Sequence, residues 1–176
     1  TAAATQYIGT RCNASAFAQW NLMQYVSYQN NSVLFEISPA NSAANRMSVK
    51  NSTGPQLNDG TYHLVVITYD GSRTSSGVKI YTDSVSRTVI DDSTNTLSSN
   101  APTGIGGAIG SRTSAFGSYY SGKQDEFLVV KGRVLSQSEV DVLWNSGAGK
   151  AYPWTASAPT LGYYPMINLL GQGQIW

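Results

Sequence analysis

Apolar and polar positions alternate in short runs along most of this chain, and that period of two predicts β-strands. Residues 5–12 ("TQYIGTRC") and 20–28 ("WNLMQYVSY") fit the pattern, as does "SVLFEIS" at 32–38, which stops at Pro39. "NRMSVKNS" at 45–52 is a further short strand. The run at 62–69 is followed by the turn "DGSRTSSG" and a strand at 78–83, then by a weaker one, "RTVI", at 87–90. Within 62–69, Val65, Ile67 and Tyr69 alternate with Leu64, Val66 and Thr68, so both faces are largely apolar and the strand is expected in the middle of its sheet. Short strands at intervals of about a dozen residues, separated by Gly, Ser and Asn, predict an all-β sandwich or barrel.

Two later stretches complete the pattern. The Gly- and Ser-rich region 91–122 is expected to be mostly loop with a short strand near "GAIGS". Its "GIGGAIG" lacks the Lys-Ser/Thr that a nucleotide-binding loop requires. "DEFLVV" at 125–130 predicts a strand, and "LSQSEVDVLWNSGAG" predicts the single helix, over 136–146. Ser136 and Glu139 form a capping box, Val140, Leu143 and Trp144 share one face, and Gly147 is placed to end the helix. Such a helix would cover one end of the sandwich.

Charge narrows the function. Only 12% of the 176 residues are charged and the formal net charge is +1, with no basic cluster, which disfavours nucleic acid as a partner. The single cysteine, Cys12, excludes an internal disulfide and the usual cysteine-based zinc sites. No apolar run approaches the ~20 residues that span a membrane, and "TAAATQYIGT" has neither the basic start nor the apolar core of an intact signal peptide. The abundance of Ser, Thr, Asn, Gly and Tyr suits an extracellular or particle-surface β protein.

Two blocks resemble a known family. Asp59 to Gly71 ("DGTYHLVVITYDG"), followed by Val78 to Asp83 ("VKIYTD"), resembles the central hairpin of laminin G-like, concanavalin A-like jelly-roll domains, which reads D-G-x-W-H-x-V-A-V-T-Y-D-G and then V-x-L-Y-V-D-G. Gly122 to Gly147, with Asp125-Glu126, Leu135-Ser136, Glu139 and Trp144, is similar to the same family's closing G-x-I-D-E-V … L-S-x-x-E-I-x-x-L-Y-x-x-G. The signature residues are therefore His63, Asp70, Gly71, Tyr81, Asp83, Asp125, Glu126 and Trp144; Tyr62 stands at a Trp position, and Ser84 replaces the Gly after Asp83. The resemblance is confined to the chain from residue 57 onward. It implies an antiparallel β-sandwich of jelly-roll type over 1–155, with its usual first strand not evident. Residues 156–176, with "LGYYPM", would be a closing strand or the start of a further module.

Against that frame the chemistry-bearing residues have plain readings. A cysteine nucleophile needs a histidine in reach; His63 instead reads as a strand residue with local hydrogen bonds, and Cys12 as a small buried hydrophobe. Glycosidases need two carboxylates on one face. Here the acids are adjacent pairs, Asp91-Asp92 and Asp125-Glu126, which point to opposite faces of a strand, and Glu36 stands alone on its own strand. No catalysis is therefore expected. Asp59, Asp70 and Asp125 are candidates for a Ca2+ site, as the resemblance implies, with structural anchoring as the alternative; no cofactor is required. Tyr119, Tyr120, Arg112 and Trp154 lie in loop-like stretches suited to stacking on sugar or filling a protein interface. The expected protein is a non-catalytic recognition module outside cells or on a virion. Its partner would be a glycan or a protein lattice, and a homo-oligomer is compatible. A purely structural virion component and a glycoside hydrolase are the alternatives.

Overall fold

The computed structural model describes residues 5–12, 19–25, 32–39, 44–99, 107–112 and 119–150. They form nine strands and one α-helix in two sheets. The strands are β1 (Gln6–Cys12), β2 (Gln19–Tyr25), β3 (Ser32–Ser38), β4 (Met47–Asn51), β5 (Val65–Tyr69), β6 (Val78–Thr82), β7 (Val85–Arg87), β8 (Val89–Asp91) and β9 (Gly107–Ile109), with α1 at Gln137–Trp144. One sheet has the order β8-β4-β3-β2-β1-β9 and the other β5-β6-β7, with every pairing antiparallel.

Alternation decides which side chains fill the space between the sheets. Val33, Phe35 and Ile37 of β3 and Met47 and Val49 of β4 meet Val78 and Ile80 of β6 and Leu97 in one buried cluster, closed by Trp20, Leu22, Val65, Ile67, Tyr69 and Val89. The rings of Phe35 and Tyr69 approach to 6.4 Å between centroids across the sandwich. Gly9 of β1 belongs to the same face: a Cβ there would come within 2.7 Å of the Phe127 ring, so the ring fits only over glycine.

The structure departs from the sequence reading in several places. Strand β5 lies at one edge of its sheet among the described residues, not in the middle. Its second apolar face is buried by α1, because Val66 and Tyr81 pack on Val140 with Leu64 and Leu135. The helix thus covers the outer face of the small sheet rather than an end of the sandwich. The stretch "RTVI" is split at Thr88: β7 pairs with β6 and β8 with β4, so the chain changes sheets there. Residues 125–130 join no ladder, and Glu126 interrupts the run with a left-handed backbone (φ 49). The capping box of Ser136 and Glu139 is present, but the left-handed end of the helix falls on Asn145 (φ 48), ahead of Gly147.

The Ser84 replacement has a local explanation. Asp83 (φ 53) and Ser84 (φ 66) form a left-handed two-residue turn between β6 and β7, a conformation costing a non-glycine residue about 1 kcal/mol. Ser84 offsets this through α1: its carbonyl accepts from Gln137 Nε2 at 2.7 Å and its hydroxyl donates to Asp141. Tyr62, at the usual Trp position, is exposed, so the smaller ring leaves no hole in the core.

Candidate functional site

A charged cluster beside the small sheet surrounds His63. The Asp59 carboxylate accepts from the backbone and hydroxyl of Thr61 (2.9 and 2.7 Å) and sits 3.2 Å from His63 Nε2. On the other side His63 Nδ1 lies 2.8 Å from Asp83 Oδ2, while Asp83 Oδ1 accepts from the Leu64 backbone at 3.1 Å. Thr61 Oγ1 is 3.1 Å from Nε2, so hydroxyl, imidazole and carboxylate line up as in a nucleophilic triad.

The same contacts also set the charge on His63. Burial pulls the His63 pKa down, but the hydrogen bonds and charges of Asp83 and Asp59 outweigh it, and the net shift is upward from 6.5. Hydrogen bonds from Thr61 hold Asp59 down to about 2. The protonated imidazole, held between two carboxylates, joins the 59–63 loop to the β6–β7 turn as a clamp.

A raised folded pKa means that His63 contributes stability fully below its unfolded pKa and loses it as pH rises through the folded value. We therefore expect His63→Gln to destabilise the domain by about 1 kcal/mol at pH 6, with the difference shrinking steadily towards pH 9. Urea denaturation of both proteins across that range checks it; a difference independent of pH would show that the charged clamp does not form.

The other sequence candidates are dispersed. Asp70 bonds the Ser72 amide at 2.8 Å within its own turn, where Gly71 takes φ 83 and the absence of a Cβ at Gly77 leaves room for the Asp70 carboxylate. Asp125 bonds the Glu126 amide at 2.9 Å. Among the described residues no group of three or more His, Cys, Asp or Glu is placed to hold a metal ion, so Asp59, Asp70 and Asp125 are not brought together. Tyr119 is exposed, whereas the Tyr120 ring turns in over Gly122. Trp154 lies outside the described residues, as do Tyr163, Tyr164 and Trp176.

A different constellation appears on the large sheet, on the face turned away from the core. Thr10, Asn21, Glu36 and Ser48 are direct register partners across β1, β2, β3 and β4. Asp92 extends the row beyond β8, its amide donating to the Ser48 carbonyl at 2.9 Å. At about 4.8 Å per strand, this polar row is about 19 Å long.

Charged groups anchor it. Asn21 Nδ2 donates to Glu36 Oε1 at 3.3 Å, Arg46 pairs with Glu36 at 3.6 Å, and Lys50 Nζ donates to Asp92 Oδ1 at 2.7 Å. Arg112 closes the β1 end: its carbonyl accepts from Thr10 Oγ1 at 2.7 Å, and its guanidinium lies 5.7 Å from the centre of the Tyr7 ring. Of the sequence-predicted binding residues, Arg112 is the one this row includes.

The row is costly to bury. Thr10, Asn21 and Ser48 are at most 5% exposed, and Asn21 Oδ1 is buried with no hydrogen-bond partner. Burial pushes the Glu36 carboxyl above its ordinary range against the lowering pull of Arg46, Asn21 and Arg112, and Asp92 adds to the push. The row opens to solvent towards β4, where the side chains of Glu36, Asp92 and Arg46 retain 19%, 22% and 35% of their exposure. A surface depression of ≈ 560 Å³ beside Lys79, Ser86 and Asp91 includes none of these residues.

This two-sheet architecture agrees with a family match. Residues 3–141 match the Laminin_G_3 family model, described as the concanavalin A-like lectin/glucanases superfamily. The chain belongs to this superfamily. The match extends through β1 to β4, beyond the two blocks from residue 57 onward on which the sequence resemblance rested. No curated protein and no solved structure matched the chain. Membership supports a carbohydrate-binding or structural module in general. The Thr10–Asn21–Glu36–Ser48–Asp92 row of this concanavalin A-like domain was missed in the sequence because its members come from separate strands. The available signal was the alternation of Ser32, Leu34, Glu36 and Ser38, which puts Glu36 on the face opposite Phe35.

Proposed function

We propose that this domain is a non-catalytic glycan-recognition module that binds its ligand at the solvent-open β4 end of the polar row, where Glu36, Arg46 and Asp92 are partly exposed, displayed outside cells or on a particle surface. The observation that carries the reading is the unpartnered, buried Asn21 Oδ1 beside a partly desolvated Glu36. The row is not part of the apolar cluster between the sheets, which lies on the other face of the same strands. Polar groups retained at a cost to stability are expected where they serve binding. Planar amide, carboxylate and guanidinium groups in one row suit the adjacent hydroxyls of a sugar ring.

Asp92 is held by Lys50 and by Ser48, whose hydroxyl donates to it at 3.5 Å, which supports a binding role for the row over acid–base chemistry. The test is glycan-array screening followed by calorimetry on Asn21→Leu. Binding should fall at least tenfold while stability stays within about 1 kcal/mol, since the apolar side chain removes an unpaired buried acceptor. An unfolded Asn21→Leu domain would make the row structural. Release of reducing ends by the unaltered protein, lost in Glu36→Gln, would make it a hydrolase.

A further inference from the structure

We infer that the surface depression along β8 is a separate sugar site, independent of the polar row, and that it takes a sugar unit bearing one carboxylate, a hexuronate. The placement of charge carries this. Of the charged residues on β3 to β8, Glu36 and Lys50 have ion-pair partners in Arg46 and Asp92. The other three are Lys79 of β6, Arg87 of β7 and Asp91 of β8. All three line the one depression of ≈ 560 Å³, and none forms an ion pair among the described residues. That volume lies within the ~300–1,000 Å³ typical of small-molecule sites.

Each group has a counterpart in such a ligand. Arg87 is oriented in advance, because its Nε donates to Thr82 Oγ1 and its Nη2 to the Thr82 carbonyl at 2.9 Å. The remaining hydrogens on Nη1 and Nη2 form an end-on fork for a carboxylate. Lys79 is exposed and supplies a second cation. Asp91 accepts from adjacent ring hydroxyls, and Ser75 and Ser86 can donate to them. The strand edge adds backbone groups. The Asp92 amide donates to the Ser48 carbonyl and the Ser52 amide to the Thr88 carbonyl, so by antiparallel alternation the N–H and C=O of Val89 and Asp91 point away from β4. Half-buried Val89 and Ile90 offer an apolar surface to the C–H side of the ring. Two cations and one carboxylate leave a single positive charge, which one ligand carboxylate balances with no proton moved. A neutral sugar would leave the Arg87 fork empty, and a second anionic group would meet Asp91.

The experiment is an NMR titration of the isotope-labelled whole chain with the methyl glycosides of glucuronate and galacturonate. Methyl glucoside, with a hydroxymethyl group in place of the carboxylate, and acetate, with no ring, are the comparisons. At least one uronide should bind with a Kd of about 1 mM, ordinary for a ligand of that size, and shift the amides of Ser75, Ser86, Val89 and Asp91. The glucoside and acetate should each bind about tenfold more weakly. Lys79→Gln, and Arg87→Lys, which keeps the charge and loses the fork, should each weaken the uronide about fivefold. Equal binding of the glucoside would overturn the carboxylate, and equal binding of acetate would overturn the sugar. Shifts centred on Glu36 and Ser48, or an affinity unchanged in both variants, would overturn the depression as the site. If neither uronide shifts an amide at millimolar concentration the inference fails, and the glycan-array result for the row stands apart from it.

Discussion

Met47→Ala is expected to destabilise the domain by about 3 kcal/mol, enough to lower its melting temperature by about 10 °C. Met47 is fully buried in the cluster between the sheets, together with Val33, Val49 and Ile80. Truncation removes several buried heavy atoms, and the surrounding β-branched side chains are too stiff to collapse into the space. The control is Val142→Ala on α1, which is 54% exposed and should change stability by less than about 0.5 kcal/mol. Thermal and urea unfolding of the two variants side by side decide the matter. Equal, small effects would mean that the two sheets do not share the core described above.

The second large effect is expected from Asp92→Ala, at about 2–3 kcal/mol. Lys50 is 8% exposed and its ammonium is bonded to Asp92 at 2.7 Å on the face away from the core. Removing the carboxylate leaves a desolvated ammonium, which costs far more than an exposed ion pair contributes. Replacing both partners, as Lys50→Met with Asp92→Leu, should restore most of the loss, because apolar groups of similar volume carry no desolvation penalty. The double-mutant cycle is the measurement. A double variant as unstable as Asp92→Ala would show that the loss comes from something other than the stranded charge.

Much of the scaffold was legible along the chain. "SVLFEIS" matched β3 at both ends, and "MSVKN" became a fully buried strand whose even and odd positions face opposite sides. The Ser136 and Glu139 capping box was readable because its two hydrogen bonds join residues three apart. Where local pattern failed, a distant contact was responsible. "DEFLVV" has strand composition, yet it joins no ladder and instead sends Phe127 across to the space that Gly9 leaves open. The two apolar faces of β5 were seen correctly and explained wrongly, since α1, some seventy residues later, supplies the second cover.

By itself, the sequence determined the alternation that makes these strands two-faced, the turn at Asp70-Gly71, the helix start at Ser136, and a weakly charged surface unsuited to nucleic acid. These are local properties, written in the side chains of neighbours one to four residues apart. The tertiary structure alone decided that Thr10, Asn21, Glu36, Ser48 and Asp92 form one row. The sequence placed Glu36 alone on its strand, and along the chain that is correct. Strand register is set by the pairing of segments far apart in sequence, and only that pairing gives the lone carboxylate its amide, its arginines and its buried surroundings.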